Sequence, residues 1–519
     1  MKQNTDINNP ERSLAPVPES FQKIQRFVVL MLENRSFDHL IGSLKSANSS
    51  IDGLSGNEFN YQNPNVPGQG SKKVWNATEF TMPFDPDHEF KDVQIQLYGP
   101  SNGSVDEPNQ PTSPAAMSGF LSRGIHAANT ANTPDSFPMV MEYFAPSQIP
   151  VMSTLATQFA LCNFWFSSLP GPTWPNRFFI HAATSGGLTD SPTETQVLGG
   201  YSFSNGTIYD RLEGAKKNWR IYHDSLPQSI GIDSLRLEYI DPLTKHFRGM
   251  NFFAEDVKNQ SLPEYTFIEP LYDIGNNYRN GNSMHPLNDV RKGEQLVKQV
   301  YETLRNSSYW SNTMLIVLFD EHGGFYDHVS PPRAIPPGDA MKYATTNFAF
   351  DFLGVRVPAI LISAYTQRGM VIGNDPAGAP IIFDHTSVLA TVEKRFQFKS
   401  LTKRDAAART IDLAVNLANP RTSSSDAPTE LPSPLSDSIL KSVQRFFAKA
   451  PGHAEEGAKL SSNQKSFLAL ALTCDLKMSE ASKQAAIKER VDAISRQKEA
   501  AQYLDEIETK IRSSRKESQ

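Results

Sequence analysis

Two short apolar runs interrupt the alternation of hydrophobic and polar positions along the chain, and both stop at side chains able to hold a metal ion. Residues 27–32 read FVVLML and give way to Glu33 and Asn34; residues 314–319 read MLIVLF and give way to Asp320, Glu321 and His322. Six apolar residues bounded by polar ones are short for a helix and rich in strand formers. Each run therefore predicts a strand covered on both faces, as in a parallel sheet. Ligands of open parallel sheets bind beyond the carboxyl ends of the strands, so the two polar clusters meet there if the strands are neighbours.

The same pattern gives further elements. RSFDHLIGSL predicts a short helix, and the tract that follows, rich in Asn, Gly, Pro and Ser, runs to about residue 118 and carries His88 ahead of a helix-like segment. Residues 149–187 pass from a helical pattern (Met152, Leu155, Ala156, Phe159) into a strand-like FALCNFWF and a turn, then into a second helix opening near Thr173. KNWRIYHDS predicts a strand ending at His223 and Asp224, and EYTFIEP one ending at Glu269. His285 falls in a loop before a helix with Val290, Leu296, Val297, Val300 and Leu304 on one face and Asp289 as its cap. VRVPAILIS is one more buried strand, and FDHTSVLATVEKRF a helix capped by Asp384 or Thr386, with Asp384 and His385 read as structural.

Strands alternating with helices over residues 27–396 predict an α/β fold, a mostly parallel sheet with helices on both faces. One domain over residues 1–420 is expected, then a linker at 421–434 where RTSSSDAPTELPSP changes the composition, then a helical extension over 435–519. The extension holds three helical patterns: SILKSVQRFFAK, KSFLALALTCDL and a charged segment from about 479 to 514. In the last, Ile487, Val491, Ile494, Ala501, Leu504, Ile507 and Ile511 form an apolar stripe. The stripe suits a packing or homo-oligomerising helix; a membrane-surface helix fits less well, because its polar face mixes both charges.

Composition narrows the picture. With 39% hydrophobic and 20% charged residues and a net charge of -6, the chain has the totals of a mildly acidic globular protein, not of a nucleic-acid binder or a disordered chain. Two cysteines, Cys162 and Cys474, exclude a disulfide framework; two buried free thiols are the expectation and one isolated bridge the alternative. The first twenty residues lack the apolar core of a secretory signal and no run reaches the length of a membrane span, so the expected location is cytoplasmic, with leaderless export left open.

The candidate chemistry gathers at the strand ends. Glu33, Asn34, Asp320 and Glu321 are oxygen donors suited to a hard or borderline divalent cation, and Ca, Mg, Mn, Zn or Fe all fit such a set. Three prolines and a glycine stiffen the turn around Thr173. Its hydroxyl has two uses, as a helix cap or as a nucleophile whose pKa a bound metal lowers. His88, His223 and His285 are candidates to donate hydrogen bonds to a phosphorus centre or to protonate a leaving oxygen. Together these parts predict a metal-assisted phosphate or sulfate esterase.

In this order, ENRSFDH, PGPTWPNR, HPLNDVRKGE, DEHGGFYDHV and FDHTSVL resemble the phosphoesterase family that contains bacterial and plant non-specific phospholipases C and the acid phosphatase A group. The resemblance spans roughly residues 25 to 400. It implies an alkaline-phosphatase-like three-layer α/β/α sandwich and hydrolysis of phosphate esters through a covalent phospho-enzyme. It places the metal ligands on Glu33, Asn34, Asp320, Glu321 and Thr173, the nucleophile on Thr173, and phosphate-contacting histidines on His88, His285 and, by position alone, His223. Gly323 and Gly324 then permit a tight turn beside the metal, while Asp327 and His328 support the site or the fold. The helical tail lies outside the family core.

The expected substrate is a phospholipid diester cleaved on the glycerol side to diacylglycerol and a phosphorylated head group, with transient contact at a membrane surface. Phe164, Trp165, Phe166, Trp174, Phe178 and Phe179 supply either core packing or a cation-π platform for choline. The alternatives are an acid phosphatase acting on monoesters and a non-catalytic protein that binds lipid or a partner.

Overall fold

A computed structural model describes residues 16–102, 104–436 and 460–517. Its frame is an eight-stranded sheet built from β1 (Arg26–Leu32), β2 (Ala160–Cys162), β3 (Trp219–His223), β4 (Phe247–Gly249), β5 (Tyr265–Ile268), β6 (Thr313–Phe319), β7 (Ala359–Ser363) and β8 (Val371–Ile372). The spatial order is β4-β3-β5-β1-β6-β7-β2-β8. From β4 through β6 every pairing is parallel; β7 runs against both β6 and β2, and β8 is parallel to β2. All of β5, β6 and β7, and β1 beyond Arg26, are buried. Side chains alternate between the two faces of a strand, so both faces of the sheet are covered, which makes three layers.

The helices that matter below are α1 (Phe90–Tyr98), α2 (Pro150–Gln158), α3 (Thr173–Ala182), α4 (Val290–Arg305), α5 (Thr386–Phe396), α6 (Ser462–Met478), α7 (Gln484–Asp492) and α8 (Gln497–Glu517). The two apolar runs that predict strands are β1 and β6. They are adjacent and in register from Arg26 opposite Thr313 to Leu32 opposite Phe319. Both therefore release their polar residues at the same level of the same sheet end.

Some expectations need correction. FALCNFWF pairs only over β2, after which Trp165 and Phe166 make single bridges to Phe383 and Arg356. Asn163 diverts the chain there, accepting from the Asp52 amide and donating to the Ser50 carbonyl. The stretch expected as a linker is a strap on α4. Arg305 donates to the Thr422, Ser423 and Ala427 carbonyls, Tyr301 to Pro428 and Asn306 to Thr429. Composition marks 421–434 as polar; its free carbonyls are what the helix side chains bind.

In the extension, SILKSVQRFFAK lies outside the described residues. KSFLALALTCDL falls in α6, which is buried from Ser466 through Asp475. The final segment breaks between α7 and α8. Its stripe packs onto the chain's own core, with Val491, Ile507 and Ile511 buried and Ile487, Ile494 and Leu504 against the same cluster. Both cysteines are free and buried. Among the described residues no helix is long and apolar enough to cross a membrane.

Candidate active site

Backbone geometry at the ends of β1 and β6 brings four oxygen-bearing side chains together. Asn34 takes a left-handed conformation, φ 56°, which turns the chain sharply after Glu33. Its amide and that of Glu321 both donate to Asp320 Oδ1, at 3.0 and 2.7 Å, and the Arg35 amide donates to the Glu321 carbonyl at 2.9 Å. Gly323 and Gly324, both at positive φ, complete the turn. A Cβ on Gly323 would lie 2.3 Å from the Asn34 carbonyl oxygen, so only glycine permits this approach.

Thr173 is the first residue of α3. Its hydroxyl caps nothing: Pro172 holds the N-cap position, and Thr173 Oγ1 instead donates to Asn34 Oδ1 at 3.3 Å. The hydroxyl, at the positive end of a ten-residue helix, thus faces the strand-end cluster. His88 approaches from the loop before α1. Its Nδ1 is 2.6 Å from the Pro86 carbonyl, and its Nε2 is 3.4 Å from Asn34 Nδ2 and 3.9 Å from Glu321 Oε1. Burial disfavours the imidazolium, but Glu321 and Asp85 outweigh it and raise the pKa to about 10. His285 Nε2 lies 3.5 Å from Asp85 Oδ1, and its ring stacks on Tyr278 at 3.6 Å. Arg35 fixes that loop by donating to the Met284 and His285 carbonyls.

Two buried carboxylate oxygens here, Glu33 Oε2 and Glu321 Oε1, have no hydrogen-bond partner. Burial pushes Glu33 up to about 7 against the pull of His285 and Arg177. Burial also raises Asp320, opposed by Arg177, whereas at Glu321 His88 and His322 overcome burial and hold the carboxyl below its ordinary range. Buried carboxylates without partners are costly unless a cation compensates them. The donor set of carboxylates, amide and hydroxyl is that of a divalent ion, so Glu33, Asn34, Thr173, Asp320 and Glu321 fit the metal they are expected to hold. Thr173 is 5% exposed and the ligands less, while the side chains of His88 and Asp85 are 15% and 36% exposed. The cluster therefore opens to solvent on the His88–Asp85 side.

His223 is not brought to this cluster. It ends β3, two strands from β1, a separation of about 10 Å at ordinary strand spacing. Its ring packs on Tyr239 and Phe247, and its Nδ1 is 2.9 Å from the Ser225 carbonyl. Burial, with Arg515 and then Arg512 nearby, lowers its pKa to about 3. Of the expected aromatics, Trp165, Phe166, Trp174, Phe178 and Phe179 are core and Phe164 is half-buried. Asp289 caps α4 through the Arg291 amide, and Asp384 accepts from the Thr386 amide and pairs with Arg404. Glu269 staples a loop by accepting from the Gln228 and Ser229 amides and from Tyr272.

Away from these residues, Asp38, Asp327 and His328 offer ligand atoms that all lie within 4.8 Å of one another. Arg356 already fills that group, 3.0 Å from Asp38 and 3.1 Å from Asp327, while His328 Nδ1 is 2.6 Å from Asp38. Arg356, His328 and the amides of Asp38, His328 and Val329 already take up these carboxylate oxygens, so the cluster reads as a brace for the turn after β6. Three further side chains support the cluster: His385, expected as structural, and His322 and Arg177, whose supporting roles the sequence did not reveal. His322 Nδ1 lies 3.3 Å from Glu321 and its Nε2 2.7 Å from Gln96. His385 Nε2 donates to the Asp320 carbonyl at 2.7 Å, its other nitrogen accepting from Trp165, a tautomer consistent with burial lowering its pKa to about 4. Arg177 pairs with Asp320 at 2.9 Å. Helical spacing from Thr173 to Arg177 was the available signal for the last.

The model of the Phosphoesterase family matches residues 24–399. Non-specific phospholipase C3 of Arabidopsis thaliana is 38% identical over 419 residues, 80% of this chain and 77% of its own length. Phospholipase C B of Mycobacterium tuberculosis is 28% identical over 463 residues, covering 78% of this chain and 80% of its own. Among solved structures, an alkaline phosphatase superfamily protein from Vibrio parahaemolyticus aligns over 53% of this chain and 65% of its own, with 15% identity and a TM-score of 0.32.

Proposed function

The chain belongs to the phosphoesterase family, and from that premise we propose that it is a phospholipase C-type hydrolase acting through Thr173. Its substrate is a phosphatidylcholine-like diester, cleaved on the glycerol side to diacylglycerol and a phosphorylated head group. The observation that carries this reading is the Thr173 hydroxyl at the start of α3, bonded to Asn34 beside two buried carboxylate oxygens that lack partners. The phospholipase C names of the relatives support the substrate class.

Glu33, Asn34, Asp320, Glu321 and Thr173 would hold a divalent ion, which when bound supplies Lewis acidity and a lowered hydroxyl pKa. Thr173 Oγ1 attacks phosphorus in line as its proton passes to solvent on the open side; the new Thr–O–P bond forms as the glycerol-side P–O bond breaks. His88, its Nδ1 held by the Pro86 carbonyl and its Nε2 turned to the cluster, is the group placed to protonate the leaving oxygen. His285 donates toward a phosphoryl oxygen from the same open side. Water then cleaves the phosphothreonine and releases the phosphorylated head group.

The test compares p-nitrophenylphosphorylcholine with p-nitrophenyl phosphate before and after chelation. The diester should be the better substrate, with activity lost on chelation and restored by a divalent ion. Preference for the monoester would overturn the substrate class, and full activity after exhaustive chelation would overturn the metal.

A further inference from the structure

Arg177 occupies the position one helical turn after Thr173, on the same face of α3, and is fully buried. Its Nε donates to Asp320 Oδ2 at 2.9 Å, and its Nη2 donates to the Met31 and Leu32 carbonyls at 3.3 and 3.2 Å. One planar fork thus joins the helix that carries the nucleophile to the last two residues of β1 and to the first residue after β6. The guanidinium also lies 5.3 Å from the ring of Tyr272, whose hydroxyl is tied to Glu269. Backing from Tyr272 leaves the fork little freedom to swing.

The consequence concerns which oxygen Asp320 can offer. Its Oδ1 already accepts from the Asn34 and Glu321 amides, and its Oδ2 accepts from Arg177. Each carboxylate oxygen has about two acceptor directions, so one direction on Oδ2 remains open to the cluster. We infer that Arg177 is a positioning residue that makes Asp320 a one-oxygen ligand. The inference rests on the proposed function. It assigns Arg177 no contact with substrate.

A lysine keeps the charge but not the fork, and cannot reach Asp320 and both carbonyls in one plane. The experiment uses the full chain, stripped with chelator, and titrates Mn2+ by calorimetry alongside turnover of p-nitrophenylphosphorylcholine at saturating Mn2+. Arg177→Lys should bind Mn2+ about tenfold more weakly or worse, with kcat reduced at least about tenfold and KM changed by less than about threefold. Arg177→Gln, which keeps a donor toward Asp320, is the second variant should the lysine not fold, with the same losses expected. In an Asp320→Asn background the Arg177 substitution should alter Mn2+ affinity by less than about twofold, because its effect passes through that carboxylate. Wild-type Mn2+ affinity and kcat in a folded Arg177 variant would overturn the inference, as would an undiminished affinity loss in the Asp320→Asn background. Thr173→Ala in the same assay separates the two levels. If it is inactive while Arg177→Lys behaves as wild type, the positioning role alone falls; if it stays active, the mechanism beneath it falls.

Discussion

Single atoms set the energetics of this site. Glu33 Oε2 is removed from water without a hydrogen-bond partner, a state that costs an ionised carboxylate several kcal/mol, and Glu321 Oε1 has only His88 Nε2, 3.9 Å away. Any cation that binds only the folded protein relieves that cost and stabilises it by mass action. Adding Mn2+ to chelator-stripped protein should therefore raise Tm by several degrees, and Glu321→Gln should remove most of the gain. Differential scanning calorimetry checks both; an unchanged Tm on Mn2+ addition would count against a cation site. A second residue sets a pH dependence away from the cluster. Burial opposes the His328 imidazolium, but the hydrogen bonds it donates to Asp38 and Asp52 raise its pKa to about 10, above an ordinary value of about 6.5. A raised folded-state pKa contributes stability that is complete below about pH 6.5 and is lost as pH climbs through about 10. The Tm difference between wild type and His328→Gln should shrink across that window, and a constant difference would contradict the pairing.

At the scale of elements, the site depends on β1 and β6 ending level and on two reversed turns meeting behind them. Gly323 approaches the Asn34 carbonyl so closely that an added methyl forces the two turns apart. Gly323→Ala should cost about 1–3 kcal/mol and lower turnover with it, measured as a fall in denaturant midpoint and in kcat. Retention of both would show that the turns are not coupled. The two strands were legible in the sequence because an apolar run ending in carboxylates needs no tertiary information. Gly323 and Gly324 were legible as a tight turn for a similar local reason, whereas the left-handed turn at Asn34, read only as a ligand, was not. His223 was misplaced because strand order is non-local: its motif marks the end of a strand but not that β5 separates that strand from β1. The aromatic segment misled in another way, since a run of Phe and Trp reads alike whether it lines a site or fills a core. The strap at 421–434 was hidden because its contacts are backbone carbonyls, which composition does not describe.

For the whole molecule, the helical extension is part of the catalytic body. Asn463 of α6 accepts from Trp174 Nε1 at 2.8 Å and donates to the Tyr278 hydroxyl at 2.6 Å, and Tyr278 stacks on His285. Phe467 packs against both Trp174 and Tyr272, the neighbours of Thr173 and Arg177. Deleting residues 460–519 should lower Tm and turnover together, and a truncated chain that keeps both would show that the extension merely covers the surface. Strand ends, turns, the buried arginines and the extension all converge on one hydroxyl. The most direct measurement is turnover of p-nitrophenylphosphorylcholine by Thr173→Ala, with its Tm recorded alongside. With Thr173 as the nucleophile, the variant stays folded and loses about a thousandfold or more in kcat; near wild-type turnover would contradict that role.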